Sequence, residues 1–579
     1  MNWDLTKLYT SFRDARFLED CKTVSEKLDA LLADAGAFDE TSGHLKRLLR
    51  AFSDATELLS KTFLFAQLSV AANADDEEAK AACDRLFPEE NKLKRAASAF
   101  ARKLGEIRDL DALIGEDEYL LQHRAFLMEC RERAAHSIAP ELEPWILEMQ
   151  LTGGTAWSQL RDQLDATLMV DVNGEKMPLS AARNFAYSAD AKTRKDAYKA
   201  ELAAYPKVMQ PMAACLNGIK GEALTLIKLQ HYESVLEKTL AESRMSRKTL
   251  DALLAALRDS FPMFRRYFRL KAKMLGYDGG LKFCDLFAPV GKIDAKYSPE
   301  EAKALLIREL GAFSPKMGQM IERAFSERWI DMYPREGKSG GAFCAGAYVL
   351  GISYILTNFD GSYSAVSTLA HELGHAYHDF CMKDEPILLT QCPMQLAETA
   401  STFNETLLAA QILKDCDTDM RIAILEAQLS DGAQVIVDIM SRFLFEYEVF
   451  ETRKDHALTP KELCAIMEKA QKETYGDGLD PEWLHPFMWA CKSHYYSTGL
   501  HFYNFPYAFG QLFALGVFAK RGEMGKGFLP MYEELLRASG SGSVEEAALR
   551  VGIDITDRAF WDKSMEVYAE KLAMLEECL

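Results

Sequence analysis

The segment "HELGH" at residues 371–375 holds two histidines and a glutamate at a spacing suited to hydrolytic chemistry. If the segment is helical, His371 and His375 lie one turn apart on one face, where two imidazoles can bind one Zn²⁺. Glu372 lies beside that face and can reach a water on the metal without being a ligand. Because the pattern also arises by chance, a pair of buried structural histidines is the alternative interpretation.

A third metal ligand is expected downstream, in the predicted helix "MQLAETASTFNETLLAAQILKD". Glu398 and Glu405 are seven residues apart there and so share a helix face. We take Glu398 as the third ligand and Glu405 as the acceptor of a hydrogen bond from a ligand histidine. Asp379, one turn after His375, could also orient a ligand histidine, and His378 is left between a structural and a substrate-facing role.

Composition narrows the classes of partner. The chain has 579 residues, 48% of them hydrophobic, and a net charge of −19. Because an acidic surface repels nucleic-acid phosphates and anionic lipid headgroups, we expect neither nucleic acid nor a membrane as partner. The twelve cysteines form no CxxC pair and the first residues show no secretory signal, which predicts reduced thiols and a cytoplasmic location. Whether chains associate into a homo-oligomer stays open.

The elements that position these residues are predicted to be mostly helices. Apolar residues recur three and four positions apart along most of the chain, which predicts a mainly α protein. We predict an N-terminal helical bundle over residues 1–150, a hairpin-containing connecting segment over 151–200 and a catalytic domain over 201–579. The apolar stretch 505–519 is too short to span a bilayer and predicts a buried helix.

Two regions break the helical pattern. Residues 163–179 alternate apolar and polar types around Asn-Gly, which predicts a β-hairpin. Residues 336–361 are rich in Gly, Tyr and Ile, and they predict two or three short strands that run into the histidine helix. Gly340 and Gly341 in this region either let a peptide backbone approach an exposed strand edge or simply form turns.

Taken together, "HELGHAYHD" and "LAETASTFNE" resemble the oligoendopeptidase F branch of the thimet-oligopeptidase-like zinc metallopeptidases. "GKSGGAFC" resembles the glycine strand on the substrate side of those enzymes, and "SHYYSTGLHFYNFPYAFGQLFALG" resembles their C-terminal His/Tyr segment. The resemblance implies a helical, clam-like zincin-type molecule with a deep central channel and a small β-sheet beside the active-site helix. It also implies one zinc ion per chain, held by His371, His375 and Glu398, with Glu372 as the base.

The resemblance further implies cleavage of internal bonds in short unstructured peptides by metal-activated water. In the C-terminal segment, His494 and Tyr503 match positions that stabilise the transition state, while Tyr496 and Tyr507 match positions that bind substrate. His501 could take the role given to His494, because the spacing differs between family branches. Without the resemblance, an aromatic stripe at helical spacing usually belongs to a core.

Two other functions remain open on the sequence. One is a non-enzymatic peptide-binding protein on the same scaffold. Such a protein would be expected to lack a metal ligand or the base, and this sequence has all of them. The other is a dipeptidyl carboxypeptidase of related fold, which product masses would distinguish from an endopeptidase. Nitrogen and oxygen ligands also accept Mn²⁺ or Co²⁺, and the sequence does not give the cleavage preference.

Overall fold

The computed structural model of the chain describes residues 2–291 and 295–579. The molecule is mainly helical, as predicted. The helices of the N-terminal half are α1 (Ala15–Gly36), α2 (Ser42–Ala72), α3 (Glu77–Glu106), α4 (Leu110–Ile114), α5 (Glu118–Gln122), α6 (Arg124–Ala135), α7 (Glu143–Thr152), α8 (Gly154–Thr167), α9 (Leu179–Asn184), α10 (Ala191–Ala204), α11 (Met209–Leu229), α12 (Val235–Glu242) and α13 (Arg247–Met274).

The C-terminal half carries the helix with the HELGH segment, α16. Its helices are α14 (Pro299–Phe313), α15 (Pro315–Ser326), α16 (Tyr363–Met382), α17 (Met394–Ala397), α18 (Thr399–Asp415), α19 (Thr418–Ala433), α20 (Ile439–Arg453), α21 (Pro460–Tyr475), α22 (Met488–Cys491), α23 (Phe505–Met524), α24 (Phe528–Ala538), α25 (Val544–Leu549) and α26 (Arg558–Glu577). A π-helical turn, Gln434–Asp438, joins α19 to α20.

The chain folds into two compact units, each assembled from three separate segments. The first unit comprises Met1–Ser137, Asp294–Lys414 and Val517–Asp554. The second comprises Ile138–Ile293, Asp415–Gly516 and Ile555–Leu579, so one segment boundary falls inside α23. The contiguous domains predicted at 1–150, 151–200 and 201–579 stay a prediction.

Helix starts are encoded locally in the sequence. Three helices, α14, α21 and α25, begin with a capping box. In each, the side chain of a serine or threonine accepts a hydrogen bond from the backbone N–H three residues later. The glutamate at that later position accepts one from the backbone N–H of the serine or threonine. In the first unit α1, α2, α3 and α6 pack against one another.

The hairpin predicted in the second unit is present. Strands β1 (Met169–Val172) and β2 (Glu175–Pro178) pair antiparallel, with Val172 opposite Glu175. The two turn residues between them, Asn173 and Gly174, have φ of 56° and 89°. These left-handed conformations suit Asn-Gly, which accounts for the sequence signal.

The first unit holds a three-stranded sheet beside α16. Strands β3 (Ile330–Asp331), β4 (Phe343–Ala347) and β5 (Ile352–Leu356) lie in the order β3-β5-β4, so β4 is an edge strand. β5 is buried along its whole length and pairs antiparallel with β4. Two of these strands lie within residues 336–361, as predicted, and both strands pack on α16.

The apolar stretch at residues 505–519 forms part of α23. Most of its apolar side chains, among them Phe509 and Phe513, are fully buried, as expected for a core helix. Among the described residues, no helix is both long enough and apolar enough to cross a membrane.

Candidate active site

Helix α16 presents the HELGH residues, and its position is fixed at both ends. Ser362 caps the helix N-terminus by accepting a hydrogen bond from the backbone of Ala365. Toward the C-terminus, His378 is buried and its Nε2 lies 2.7 Å from the Ser539 hydroxyl at the end of α24. Burial lowers the pKa of His378 to about 4, so this imidazole is a neutral packing residue.

His371, His375 and Glu398 bring three metal-ligating atoms together. The Nε2 atoms of the two histidines are 3.2 Å apart. Glu398 Oε2 lies 3.3 Å from His371 Nε2 and 3.5 Å from His375 Nε2. Each of the three side chains is a quarter to two-fifths exposed, so solvent reaches them.

Further hydrogen bonds orient both imidazoles. His371 Nδ1 donates to Glu405 Oε1, which leaves its Nε2 lone pair directed toward Glu398. The backbone carbonyl of Ala397 accepts a hydrogen bond from His375. Burial lowers the pKa of His371, but the bond to Glu405 and the neighbouring carboxylates outweigh it, so this pKa is raised. The pKa of His375 is lowered, chiefly by burial.

A close approach of α16 and α18 places these residues within reach of each other. A Cβ at Gly374 would lie 2.5 Å from the Ala400 carbonyl oxygen and 2.6 Å from Ser401 Cα, so only glycine fits. The buried Asn404 amide donates to the Ala370 carbonyl at 3.3 Å and links the same helices. Sequence reasoning missed both residues, although small residues in both segments are a signal of close helix packing.

Glu398 lies at a break that the sequence did not predict. The segment expected to form one continuous helix is divided into α17 and α18, and Glu398 is the turn residue between them, with φ −84° and ψ 0°. The Ser401 hydroxyl donates to Glu398 Oε2 at 2.8 Å. The break lets the carboxylate of Glu398 turn toward the histidines while Glu405, inside α18, bonds to His371.

Glu372 lies on the buried side of α16, with only 5% of the residue exposed. Burial, reinforced by the charges of Glu398 and Glu405, raises the pKa of its carboxyl to about 7. A carboxyl with such a pKa can both accept and donate a proton near neutral pH.

Asp379 does not orient a ligand histidine through a hydrogen bond here. Its Oδ2 accepts from the Ser353 hydroxyl of β5 at 2.8 Å. His371 and His375 are instead bonded to Glu405 and to the Ala397 backbone, respectively. The position of Asp379, one turn past His375 on the sheet side of α16, explains why it reaches the strands.

Gly340 and Gly341 lie in an exposed turn that leads into β4. Gly341 has φ of 76°, and its carbonyl accepts from Asn358 at 2.9 Å. A Cβ at either glycine would meet no described atom within 4 Å. The turn interpretation therefore accounts for Gly341, and contact with substrate stays a prediction for both.

The second unit brings together three of the five predicted His/Tyr residues. His494 stacks on Tyr503 with ring centroids 5.7 Å apart, and both rings contact Tyr507. All three are half-buried. Burial, together with the charges of Arg442 and Lys492, lowers the pKa of His494. His494 Nδ1 is buried without a hydrogen-bond partner among the described residues.

Tyr496 and His501 lie in the interior of the same unit. Tyr496 is 1% exposed and packs under the Arg161 guanidinium, 5.2 Å from its ring centre. His501 is buried, with Nδ1 3.3 Å from the Lys220 ammonium. Their burial is incompatible with direct substrate contact in this arrangement, so His494 rather than His501 is the accessible imidazole.

A buried ion pair supports the loop that carries Tyr503. The Lys220 ammonium bonds to Glu446 Oε1 at 2.7 Å, and Asn504 donates to Glu446 Oε2 at 3.0 Å. Phe502, just before Tyr503, has φ of 53°, a left-handed conformation that is strained for a phenylalanine. Sequence reasoning missed this network, because its members are more than 50 residues apart along the chain.

The donor set in the first unit fits a divalent metal. Two imidazole nitrogens and one carboxylate oxygen lie within 4.8 Å of one another. Three electron-rich atoms converge there with no cationic side chain in the cluster, and a metal ion would relieve their mutual repulsion. A His₂Glu set is a typical catalytic zinc donor set that leaves a position for water.

The comparisons with known proteins agree with this site. Residues 184–567 match the model of Peptidase family M3. The chain belongs to peptidase family M3. This M3 peptidase is 25% identical to oligopeptidase PepF of Bacillus subtilis, over 100% of this chain and 87% of that protein. It is also 25% identical to group B oligopeptidase PepB of Streptococcus agalactiae, over 99% of this chain and 96% of that protein.

Solved structures share the fold of this M3 peptidase. A peptidase from Chlamydophila abortus superposes with a TM-score of 0.87 at 23% identity, covering 100% of this chain and 98% of that one. Oligoendopeptidase-F from Enterococcus faecium gives a TM-score of 0.70 at 21% identity, covering 97% and 98%. Family membership makes the chain a metalloendopeptidase that cleaves peptides, and it implies a divalent metal.

Proposed function

We propose that this M3 peptidase is a zinc-dependent oligoendopeptidase that hydrolyses internal bonds of short, unstructured peptides. The observation that carries the proposal is the convergence of His371, His375 and Glu398, with Glu372 on the same helix as the histidines. The relatives named oligopeptidase and oligoendopeptidase support a preference for short peptides and for internal peptide bonds.

His371, His375 and Glu398 would hold the zinc ion. A zinc ion in this position acts as a Lewis acid toward water and toward a peptide carbonyl. Glu405 keeps the His371 ring in the orientation that presents Nε2 to the site.

Glu372 is the proposed proton carrier. Its carboxylate takes a proton from the attacking water and delivers that proton to the leaving amine nitrogen. A pKa of about 7 suits both steps, because the group loses and regains its proton near neutral pH. No covalent bond between the chain and the substrate is required.

His494, Tyr503 and Tyr507 are the proposed hydrogen-bond donors toward substrate, a role that rests on the family resemblance. A phenol O–H or an imidazole N–H directed at a developing oxyanion typically contributes about 10²–10³ in rate. The free edge of β4, which follows Gly340 and Gly341, is the proposed surface for an extended peptide backbone.

A mixed peptide digest analysed by mass spectrometry tests the proposal. The wild-type enzyme should release internal fragments, a chelator should stop cleavage, and zinc should restore it. Release of C-terminal dipeptides alone would favour a dipeptidyl carboxypeptidase instead. Restoration by Mn²⁺ or Co²⁺ but not by zinc would contradict the proposed metal.

The Glu372→Gln variant tests the mechanism. Cleavage should fall by at least 10³-fold, because the proton carrier is lost, while zinc content measured by elemental analysis stays at one ion per chain. Glu336→Gln, the same change at an exposed glutamate of the same unit, is the matched control and should cleave normally. Normal turnover by Glu372→Gln would refute the assigned base.

We also propose a cytoplasmic location. The structure holds all twelve cysteines as free thiols, which supports a reducing compartment. Localisation of the tagged full-length chain by cell fractionation tests this proposal.

A further inference from the structure

A cavity lies on the side of α16 that faces the β-sheet, one to two helical turns past His375. It has a volume of about 130 Å³. Its lining includes Trp329, Gly346, Tyr348, Ser353, Asp379 and Phe380. Aromatic rings and small residues thus form much of the lining, and Asp379 is its acidic residue.

The Asp379 carboxylate has one hydrogen-bond partner and no counter-cation among the described residues. Ser353 donates to its Oδ2 at 2.8 Å. Lys383 also lines the cavity, but its ammonium lies over the Phe380 ring, 4.4 Å from the centre, and forms no ion pair with Asp379. Burial raises the pKa of Asp379 to about 6, and the hydrogen bond from Ser353 only partly offsets this shift. A cationic ligand group would supply the counter-charge.

Gly346 of β4 lies directly against the Asp379 carboxylate. A Cβ at Gly346 would lie 2.8 Å from Asp379 Oδ2. Gly346 pairs with Ser353, so both residues face α16 across the sheet. Because Gly346 has no side chain, β4 itself places no side-chain atom against the carboxylate, and any larger residue at this position would crowd it.

The edge of β4 that is not paired with β5 indicates where such a side chain would come from. A peptide that adds to this edge places alternate side chains on the α16 face, and the residue beside Gly346 points toward Asp379. Glu372 and Asp379 are seven helical residues apart, which is about 10 Å. An extended peptide covers that distance in about three residues.

We propose that the Asp379 cavity is a substrate subsite for a basic side chain, lysine or arginine, within about three residues of the scissile bond. The proposal rests on the peptidase function proposed above, and it adds a substrate class: peptides with a basic residue at one fixed position. The aromatic wall formed by Tyr348 suits the aliphatic stem of such a side chain.

Paired peptides test the subsite. Each pair shares one neutral cleavable sequence and differs only in lysine or norleucine at one position, moved through four residues on either side of the scissile bond. Both peptides of a pair compete in one reaction, so the ratio of their kcat/KM values does not depend on the amount of active enzyme. At one position the wild type should prefer lysine by about tenfold, since a charge-assisted contact is gained.

Variants then connect the preference to the cavity. In Asp379→Asn the ratio of kcat/KM for the lysine and norleucine peptides should fall to about one. This expectation holds even if the variant cleaves both peptides more slowly than the wild type. Gly346→Ala, which places a methyl group against the carboxylate, should lower the ratio in the same direction. Asp384→Asn, the same chemical change at an exposed aspartate just beyond α16, is the control and should keep the wild-type ratio.

Each result decides between defined conclusions. A wild-type ratio near one at every position, with cleavage intact, overturns the subsite and leaves the peptidase proposal standing. An undiminished lysine preference in Asp379→Asn also overturns it. If the zinc-loaded wild type cleaves no peptide, the proposed function fails. The subsite is then tested by the affinities of Glu372→Gln for the lysine and norleucine peptides. Equal affinities for the two peptides would refute the subsite.

Discussion

Gly374 of α16 lies so close to Ala400 of α18 that a methyl group on Gly374 would come within 2.5 Å of the Ala400 carbonyl oxygen. Helix α16 carries the two histidines, and α18 carries Glu405 and begins directly after Glu398, so the separation of the two helices sets the size of the donor cluster. The backbone at this contact cannot yield as a flexible side chain would. The glycine of HELGH therefore has a geometric function.

Gly374→Ala should weaken metal binding by tenfold or more, because the added methyl group pushes α18 and its glutamates away from the histidines. Competition with a chelating dye measures the affinity. Gly522→Ala is the matched control: Gly522 is exposed within α23, and a Cβ there meets nothing within 4 Å. That change should be neutral or stabilise by about 0.5–1 kcal/mol. Unchanged metal affinity in Gly374→Ala would refute the steric account.

Glu405→Gln should reduce metal affinity by about 10–100-fold while His371, His375 and Glu398 remain in place. The amide keeps the shape of the side chain but loses the charge that holds the His371 Nδ1 proton. The same dye competition measures the effect, with Glu336→Gln as control. An affinity equal to that of the wild type would show that Glu405 does not support the ligand.

Lys220→Met should destabilise the second unit by about 3–5 kcal/mol, because it leaves the buried Glu446 without its cation. The midpoint of urea unfolding measures the loss. The double variant Lys220→Met/Glu446→Gln should recover part of it, since the uncompensated charge is removed as well. Lys228→Met, at an exposed position of the same helix α11, should change the midpoint little; an equal loss there would contradict the ion-pair argument.

Glu201 should make stability depend on acid pH. Burial raises the pKa of this carboxyl, but His485, Arg183 and Tyr205 outweigh burial and bring it to about 2. Since the folded pKa lies below the unfolded value of about 4.5, the stabilisation is complete above pH 4.5 and is lost as pH falls toward 2. Glu201→Gln should therefore show a smaller loss of stability between pH 6 and pH 3.

Urea unfolding of metal-free wild type and Glu201→Gln at each pH measures this difference. Removing the metal from both proteins excludes acid-driven metal release as the cause. Parallel pH curves for the two proteins would contradict the role of Glu201.

Local sequence patterns predicted the helices, the Asn-Gly hairpin and the strands near the site, because each depends on neighbours a few residues away. His371, His375 and Glu372 were predictable for the same reason, since one helical turn sets their spacing. Glu398 was proposed as a ligand from its place in a predicted downstream helix, although the helix break at that residue was not expected.

Contacts between distant segments could not be read from the sequence. Lys220 and Glu446 are 226 residues apart, and neither residue type reveals a buried pair. Tyr496 and Tyr503 are both tyrosines in one aromatic segment, yet one is interior and the other half-exposed. Asp379 follows the ligand motif closely, but the register of β5 rather than the motif decides that Ser353 is its partner.

The three-segment construction of each unit has a consequence for synthesis on the ribosome. Helices α1–α6 are made before the other two segments of their unit, Asp294–Lys414 and Val517–Asp554, which lie far downstream in the chain. The face of α2 that contacts β4 and Ile387–Leu389 must remain without its final partners until that part of the chain is made, a state that is prone to aggregation. Cotranslational folding of this protein should thus depend on chaperones that bind nascent chains, and fragments cut at residue 150 should not form a native unit.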